Sequence, residues 1–178
     1  MLISEAYREQ NQQLHESEEA YGTKGHHYAK RILHYCAAAE TQDVLDYGCG
    51  KQTLQKRLPF PIKHYDPCIP GLDTPPEPAD ILVCTDVLEH IEPDCLDSVL
   101  DDIRRLTRVC AFLTVDTRPA RKFLPDGRNA HLIQEPAEWW FPKLYSRFEV
   151  VQISKIVLRA KDSQEGREKN LGFIAVCS

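Results

Sequence analysis

The hydrophobic positions along the chain change their spacing several times, and the changes mark out helices and strands. Apolar residues recur at helical spacing within 28–40 and 92–109. Residues 1–20 are polar helix formers with a weak apolar stripe, which predicts a peripheral helix. Short apolar runs typical of buried strands occupy residues 43–47, 62–65, 80–85 and 110–117. Strand and helix therefore alternate through most of the chain.

The connections complete this pattern. Five prolines between Asp66 and Ile81 exclude a regular helix and leave little room for a central strand. A helix is predicted within 135–148, and two apolar runs, 149–160 and 171–177, predict an antiparallel hairpin joined by the charged stretch 161–170. The predicted fold class is α/β, with a doubly wound, mostly parallel sheet and a C-terminal antiparallel hairpin.

Composition limits the kinds of protein this chain can be. Its 178 residues, 42% of them apolar, are enough for one domain with one core. Since there is no run near the roughly 20 apolar residues of a membrane span, and the acidic start lacks the features of a signal peptide, we expect a cytoplasmic protein without membrane contact. The net charge of -5 disfavours nonspecific nucleic-acid binding, and the seven cysteines form no CxxC pair, so neither a zinc ribbon nor a disulfide scaffold is indicated.

The stretch "VLDYGCG" leads a strand into the loop Gly48-Cys49-Gly50, after which we predict a short polar helix. Backbone N–H groups and a helix N-terminus would then lie at the carboxyl edge of the sheet, where such folds bind ligands. Asp66 ends the next strand, a position from which a carboxylate accepts hydrogen bonds from ribose hydroxyls. Thr53 occupies the third glycine position of a dinucleotide loop, and no Walker A motif occurs. The pattern suits a cofactor with an amine and a ribose but no pyrophosphate, and S-adenosylmethionine has both.

The ordered set "VLDYGCG", "YD" and "ADILVCTDVLEHIEPD" resembles the class I S-adenosylmethionine-dependent methyltransferases, and within them the small-molecule O-methyltransferases. The resemblance covers about residues 43–158 and implies a compact Rossmann-like core, 43–178, behind a helical cap, 1–40, in a single domain, 1–178. It further implies that S-adenosylmethionine is held by Asp46, Gly48, Cys49 and Gly50 at its methionine part, by Asp66 at its ribose, and by Thr85 and Asp86 beside it. Two departures stand out. Gln52 occupies the place of the family's third loop glycine, and the helix and strand that follow the second strand are shortened or missing.

A second candidate site lies in "DVLEH". Asp86, Glu89 and His90 would share one face of a helix, and His131 follows the fourth strand, so the four side chains can converge. His90 and His131 are candidate catalytic residues, either of which can act as general base on a substrate hydroxyl. All four also resemble the metal ligands of RNA 3′-terminal 2′-O-methyltransferases, although a divalent metal is not favoured. The alternative is that Asp86 and Glu89 only cap a helix.

Three further segments are candidates for substrate or cofactor contact. Lys24, in "YGTKGHHY", either folds over the cofactor and meets its carboxylate or belongs to a plain turn between helices. The loop 118–131 is rich in arginine and lysine, which predicts either recognition of an acidic or phosphorylated acceptor or a solvated charged loop. Trp139 and Trp140 can form an aromatic wall for the acceptor, although at least one is expected in the core.

The function predicted from these features is S-adenosylmethionine-dependent methyl transfer to a small acceptor, at oxygen, with acidic or phosphorylated compounds as candidates. Its partners are expected to be small molecules and not nucleic acids, and the oligomeric state is left open. Two alternatives remain. One is metal-assisted methylation of an RNA end, and the other is a catalytically silent, S-adenosylmethionine-binding regulator.

Overall fold

The computed structural model describes residues 1–159 and 168–178. Its helices are α1 (Glu5–Ser17), α2 (Ala29–Ala38), α3 (Leu96–Leu106) and α4 (Ala137–Tyr145). Its strands are β1 (Val44–Tyr47), β2 (Lys63–Tyr65), β3 (Ala79–Thr85), β4 (Thr107–Asp116), β5 (Val150–Arg159) and β6 (Glu168–Cys177). Most of the charged connection predicted between the last two strands lies outside the described residues. No helix among the described residues is long and apolar enough to cross a membrane.

The six strands form one mixed sheet in the order β2-β1-β3-β4-β6-β5. The first four are parallel to one another, whereas β6 runs antiparallel to both β4 and β5. The predicted α/β class, the parallel core and the C-terminal hairpin are therefore confirmed. Because β1 to β4 point the same way, their carboxyl ends meet at one edge, and the loops that leave them face one another across it.

Both faces of the sheet are covered, which explains the continuous apolar run in β3. Ile81 and Val83 point to the side that α2 covers, and Leu82 and Cys84 point to the side of α3 and α4. All four side chains are fully buried. Alternation along a strand places successive residues on opposite faces, so a strand covered on both sides needs an apolar residue at every position.

The segment between β2 and β3 contains neither helix nor strand at residues 66–78, all of which are described. This agrees with the predicted proline loop, and it leaves β2 as an edge strand of the sheet. Helix α1 lies across the carboxyl edge. It is capped by the Ser4 hydroxyl, which accepts from the Tyr7 N–H and donates to Glu92, and the Tyr7 hydroxyl donates to the His90 carbonyl 2.5 Å away.

Two predicted helices differ from the structure. The glycine loop is followed by turns and a short 3-10 helix at Gln55–Arg57, so the predicted helix N-terminus at this loop is wrong. The backbone of Gln52 has a positive φ of 54°, which interrupts a right-handed helix. The helix predicted over 92–109 is α3, which ends at Leu106 because the Thr107 hydroxyl donates to the Ile103 carbonyl and Thr107 pairs with Ala79 in the sheet.

Candidate functional site

A cavity of about 610 Å³ opens at the carboxyl edge of the parallel strands. Its floor is formed by the loops that follow β1 to β4, and α1 with the segment after it closes it from above. The residues predicted from sequence that line it are Lys24, Asp46, Gly48, Cys49, Gly50, Asp66, Thr85, Asp86, His90 and His131. Glu89 is not among the lining residues, although one of its carboxylate oxygens lies within 4.8 Å of a ring nitrogen of each histidine. The ends of different strands thus bring the predicted cofactor-binding and substrate-binding residues together in one cavity.

The two glycines of the loop are required by close approaches of other groups. Gly48 and Gly50 have φ values of 74° and 49°, which side chains rarely allow. A Cβ at Gly50 would lie 2.5 Å from the carbonyl oxygen of Gly22, and one at Gly48 would overlap Val87. The segment before α2 therefore packs directly on the glycine loop, with no room for a side chain between the two backbones.

The N–H groups of this loop are all engaged within the protein. Those of Gly48 and Cys49 donate to the Tyr65 carbonyl at 2.7 and 3.1 Å, and that of Gly50 donates to Asp66 at 3.0 Å. Lys51 N–H donates to Gly22 O at 2.9 Å. The expectation that this loop offers free N–H groups to a ligand is therefore not met. A loop without free N–H donors cannot bind a pyrophosphate through its backbone. This agrees with the cofactor predicted from the missing third glycine, one that has an amine and a ribose but no pyrophosphate.

Gln52 adopts the left-handed conformation that a glycine would adopt easily, and its side chain borders a second cavity. The substitution Gln52→Gly is expected to raise the free energy of unfolding by about 0.5 to 1 kcal/mol, because it removes the strain of a side chain at positive φ. Urea unfolding measures this change. Lys56→Gly, in the nearby 3-10 helix at negative φ, is the matched control and is expected to destabilise. A loss of stability in Gln52→Gly would show that the side chain has a packing role.

The two carboxylates on the cavity floor differ in their surroundings. Asp46 is 3% exposed, and its carboxylate has no hydrogen-bond partner among the described residues. Burial, and then the nearby Asp66, raise the pKa of Asp46 to about 7. Asp66 is also buried, but its two oxygens accept from the N–H groups of Gly50 and Cys68, both at 3.0 Å. Neither carboxylate has a cation among the described residues, but Asp46 also lacks any hydrogen-bond donor, whereas Asp66 retains only its remaining lone pairs for a ligand.

Asp86 and Lys24 meet at the other side of the cavity. The Lys24 ammonium lies 3.2 Å from the Asp86 carboxylate, which joins the segment before α2 to the end of β3. Asp86 has a positive φ of 62°, and its N–H donates to the Thr114 hydroxyl at 3.0 Å. Residues 88–90 form only one 3-10 turn, so Asp86, Glu89 and His90 do not share a helix face, and the predicted capping pair is also absent.

His131 is held in one tautomer. Its Nδ1 lies 2.5 Å from the Arg118 carbonyl oxygen, which only accepts, so Nδ1 carries the proton and Nε2 carries a lone pair. The ring of His90 stands edge-on to that of His131 with centroids 4.6 Å apart. Burial, with His131 beside it, lowers the pKa of His90 to about 4, and its Nδ1 lies 3.2 Å from the Tyr21 hydroxyl. Of the two rings, His131 is thus the one whose Nε2 has a lone pair without a partner among the described residues.

Glu89, His90 and His131 each offer an atom within 4.8 Å of the others, a spacing that metal ligands have. Glu89 Oε1 accepts from the Asp116 N–H at 2.9 Å, while Oε2 is buried without a partner. Burial and the nearby Asp86 raise the pKa of Glu89. Glu89 Oε2 and His131 Nε2 have no hydrogen-bond partner among the described residues and could serve as two of the ligands of a divalent cation. Asp86, the fourth predicted ligand, pairs with Lys24 instead.

The loop 118–131 presents its cations in different ways. Arg118 pairs with Asp116 at 2.6 Å, and Lys122 pairs with Glu18. Arg121 borders the cavity, and its guanidinium has no partner among the residues that the structure describes.

The two tryptophans of α4 do not reach the cavity. Trp140 is fully buried in the core, and Trp139 packs beside it under Lys143. The predicted aromatic wall is therefore wrong.

Several cavity residues come from α1 and were not predicted. Tyr7 and Asn11 line the cavity, and together with Leu14 they repeat at helical spacing and are buried. The Asn11 amide donates to the Tyr7 hydroxyl at 2.9 Å and lies 3.4 Å from that of Tyr21. The signal available in the sequence was polar side chains, Tyr and Asn, at the otherwise apolar positions of a helical stripe.

No protein-family model and no curated protein matches the sequence. Solved structures do match. They include the Burkholderia thailandensis 1,6-didemethyltoxoflavin-N1-methyltransferase with bound S-adenosylhomocysteine (TM-score 0.62, 15% identity, 97% of this chain and 87% of that chain). They also include the methyltransferase domain of bacterial CtHen1, with a TM-score of 0.56 and 13% identity. That match covers 86% of this chain and 98% of the CtHen1 domain. TehB from Haemophilus influenzae matches with a TM-score of 0.51 and 12% identity. The match covers 83% of this chain, and this chain spans only 61% of the length of TehB.

At these identities the likeness concerns the backbone fold alone. The resemblance predicted from the motifs is confirmed at this level, and no branch of small-molecule enzymes is singled out. The chain has the fold of the class I S-adenosylmethionine-dependent methyltransferases.

Proposed function

We propose that the protein binds S-adenosylmethionine at the carboxyl edge of the sheet and transfers its methyl group to an oxygen of a small, acidic or phosphorylated acceptor. The observation that carries the proposal is Asp46, a buried carboxylate without a cation, beside a loop whose N–H groups are all engaged. Such a site favours an ammonium over an anion. The B. thailandensis neighbour, solved with S-adenosylhomocysteine, supports the choice of cofactor.

Within this proposal, Asp46 would hold the amino group of the cofactor, Lys24 its carboxylate, and Asp66 a ribose hydroxyl. Thr85 and Asp86 would border its centre, and Gly48 to Gly50 would allow its close approach. The cofactor supplies an activated methyl group on a sulfonium. The chain's own contribution is to orient the acceptor, to exclude water beneath α1, and to accept the hydroxyl proton at His131 Nε2. His90, whose pKa is low, would orient His131 and would not serve as the base.

The charge of the proposed acceptor is inferred from the cationic side chains at the entrance of the cavity. Lys24, Arg118 and Lys122 are paired with acids, while Arg121 borders the cavity without a partner among the described residues. An exposed guanidinium at the entrance of a site suits a carboxylate or phosphate, which it can bind in a bidentate manner. This supports an anionic acceptor that enters beside the loop 118–131.

Replacing Arg121 with Gln is expected to raise KM for the anionic acceptor about tenfold or more and to change kcat little, because one charge-assisted contact distant from the reacting atoms is lost. Arg128→Gln is the matched control, since Arg128 belongs to the same loop, pairs with Asp126 at 2.7 Å and does not border the cavity. Steady-state kinetics of both variants measure the difference. Equal KM values for the two variants would contradict a role of Arg121 in acceptor binding.

The experiment that tests the function is detection of S-adenosylhomocysteine after incubation of the purified protein with S-adenosylmethionine and fractionated metabolites. Turnover with anionic fractions, lost in the Asp46→Asn variant, is the expected result. Binding of S-adenosylmethionine without turnover in any metabolite or RNA fraction would favour the silent regulator instead. Absence of binding would contradict the proposal as a whole.

A second candidate, metal-assisted methylation of an RNA end, is favoured by the cluster of Glu89, His90 and His131. In that case Glu89 Oε2 and His131 Nε2 would hold a divalent cation. Activity on RNA oligonucleotides that EDTA abolishes and Mg²⁺ or Mn²⁺ restores would support it. Activity on small acceptors that survives EDTA would exclude a metal from the reaction.

A further inference from the structure

Residues 18–25, the covering segment, lie over the cavity between α1 and α2. The Lys51 ammonium, which follows the glycine loop, donates to the first two carbonyls of this segment at 2.8 and 2.9 Å. Within the segment, Tyr21 borders the cavity, and its ring stands edge-on to that of His90 with centroids 5.5 Å apart. The covering segment therefore reaches the two histidines of the site through Tyr21.

The direction of the hydrogen bonds around Tyr21 follows from its neighbours on α1. The Tyr7 hydroxyl donates its single proton to the His90 carbonyl, which can only accept. The atom of Asn11 that lies 2.9 Å from this hydroxyl is therefore a donor, which identifies it as Nδ2. The same nitrogen lies 3.4 Å from the Tyr21 hydroxyl and donates to it as well. Tyr21 thus accepts from Asn11 and keeps its own proton for another partner.

That partner is the imidazole of His90. Its Nδ1 lies 3.2 Å from the Tyr21 hydroxyl, and the described residues offer this proton no other acceptor. Nδ1 therefore accepts, and the proton of the neutral ring is on Nε2. The carbonyl of Ala130 accepts a hydrogen bond from the same ring. Both nitrogens of His90 are thus in use, one with the covering segment and the other with the loop 118–131.

The hydrogen bond to Ala130 bears on the proposed base, because Ala130 directly precedes His131 in the chain. It fixes the backbone from which the His131 side chain projects. The two imidazole rings are also in edge-on contact, with centroids 4.6 Å apart. Since a catalytic group displaced by about 1 Å can cost about 100-fold in rate, even a small movement of His90 would matter. His90 therefore links the position of Tyr21 to that of His131.

We propose that Tyr21 is a positioning residue, through which closure of the covering segment sets the base: Tyr21 holds His90, and His90 holds the loop that carries His131. The inference rests on the proposed function and adds a form of regulation to the same site. Displacement of the segment, as ligands enter or leave, breaks the bond from Tyr21 and releases His90. His131 is then correctly placed to accept a proton only while the cavity is covered and water is excluded.

The first test uses the native protein without ligand and does not depend on its activity. Long-range 1H–15N NMR spectra distinguish the two tautomers of a neutral histidine, and the spectrum of His90→Phe identifies the signals of His90 among those of the seven histidines. At pH 7.5 we expect His90 to carry its proton on Nε2. A proton on Nδ1 would overturn the inference, because Tyr21 would then not donate to this ring.

The second test separates positioning of the base from binding. Tyr21→Phe keeps the aromatic ring and removes the donor, and it is expected to lower kcat tenfold to about 100-fold with the metabolite fraction that supports turnover. Its affinity for S-adenosylhomocysteine should stay within about twofold. Tyr35→Phe is the matched control and should change neither quantity, since the Tyr35 hydroxyl donates to Gln152 at 3.1 Å and does not border the cavity.

An unchanged kcat in Tyr21→Phe would overturn the inference and leave the proposed function intact. An affinity for S-adenosylhomocysteine that falls as much as kcat would also overturn it, because Tyr21 would then support binding and not the base. If no fraction supports turnover, the proposed function fails, and the NMR spectra of Tyr21→Phe still decide the coupling. His131 ring signals that shift support it, and unshifted signals overturn it. Thermal melting of the variants sets a temperature at which all are folded.

Discussion

Asp46→Asn is expected to lower the affinity for S-adenosylhomocysteine at pH 7.5 by a factor of 100 or more. The reason is that a buried ammonium without its carboxylate partner costs about 3 to 5 kcal/mol, and 1.4 kcal/mol corresponds to a tenfold change in affinity. Isothermal titration calorimetry measures the loss. An affinity equal to that of the native protein would contradict the assignment of Asp46 to the amino group of the cofactor.

The same residue predicts a pH dependence. Burial raises the pKa of Asp46 from 3.8 to about 7 in the empty site. Because an ammonium binds the ionised carboxylate, the affinity of the native protein should rise as the pH increases from 5.5 to 7.5, as the carboxyl loses its proton. The Asp46→Asn variant should show a much smaller rise over this range.

The stability of the ligand-free Asp46→Asn variant shows whether a loss of affinity could come from misfolding. In the unfolded chain Asp46 ionises near pH 4, whereas in the folded chain it keeps its proton up to about pH 7. The folded state therefore loses stability as the pH rises between these values and remains destabilised above them. Asp46→Asn removes this penalty, so the ligand-free variant should melt no lower than the native protein at pH 7.5. A loss of affinity can then be attributed to the missing charge.

His131→Phe is expected to reduce kcat by a factor of about 100 to 10,000, the range that a general base contributes, and to leave affinity for S-adenosylhomocysteine within about twofold. The physical reason is that Nε2 holds the only lone pair on this ring, since Nδ1 donates to the Arg118 carbonyl. Stopped assays of S-adenosylhomocysteine formation, with the acceptor saturating, measure kcat.

His26→Phe is the matched control for this substitution. His26 Nδ1 lies 2.7 Å from the Thr23 carbonyl, the same arrangement as in His131, but His26 does not border the cavity. It should keep nearly full activity. Full activity in His131→Phe as well would return His131 to a role in packing and would leave deprotonation of the acceptor to another group or to water. The role of His90 stays a prediction, with its Nδ1 beside Tyr21 and its pKa near 4.

The sequence by itself determined the frame of this site. The apolar run of β3, buried on both faces, and the short runs of β1, β2 and β4 specify parallel strands, and parallel strands bring their last residues to one edge. For this reason Asp46, Asp66 and Thr85 could be placed in one cavity without any knowledge of contacts. The proline loop was equally determined, because proline lacks the N–H that a strand or helix needs.

Only the tertiary structure decided what each group in the cavity is free to do. The sequence does not show that the N–H groups of the glycine loop are used by Tyr65 and Asp66, which lie in another strand and loop. Nor does it show that Gln52 takes a left-handed conformation, or that α1 crosses the edge and brings Asn11 to it. Periodicity reports which face of an element is buried, because residues three or four apart in a helix, or two apart in a strand, lie on the same face. Hydrogen bonds between residues far apart in the chain, such as the one from the Tyr7 hydroxyl to the His90 carbonyl, depend on the tertiary fold, and no local pattern encodes them.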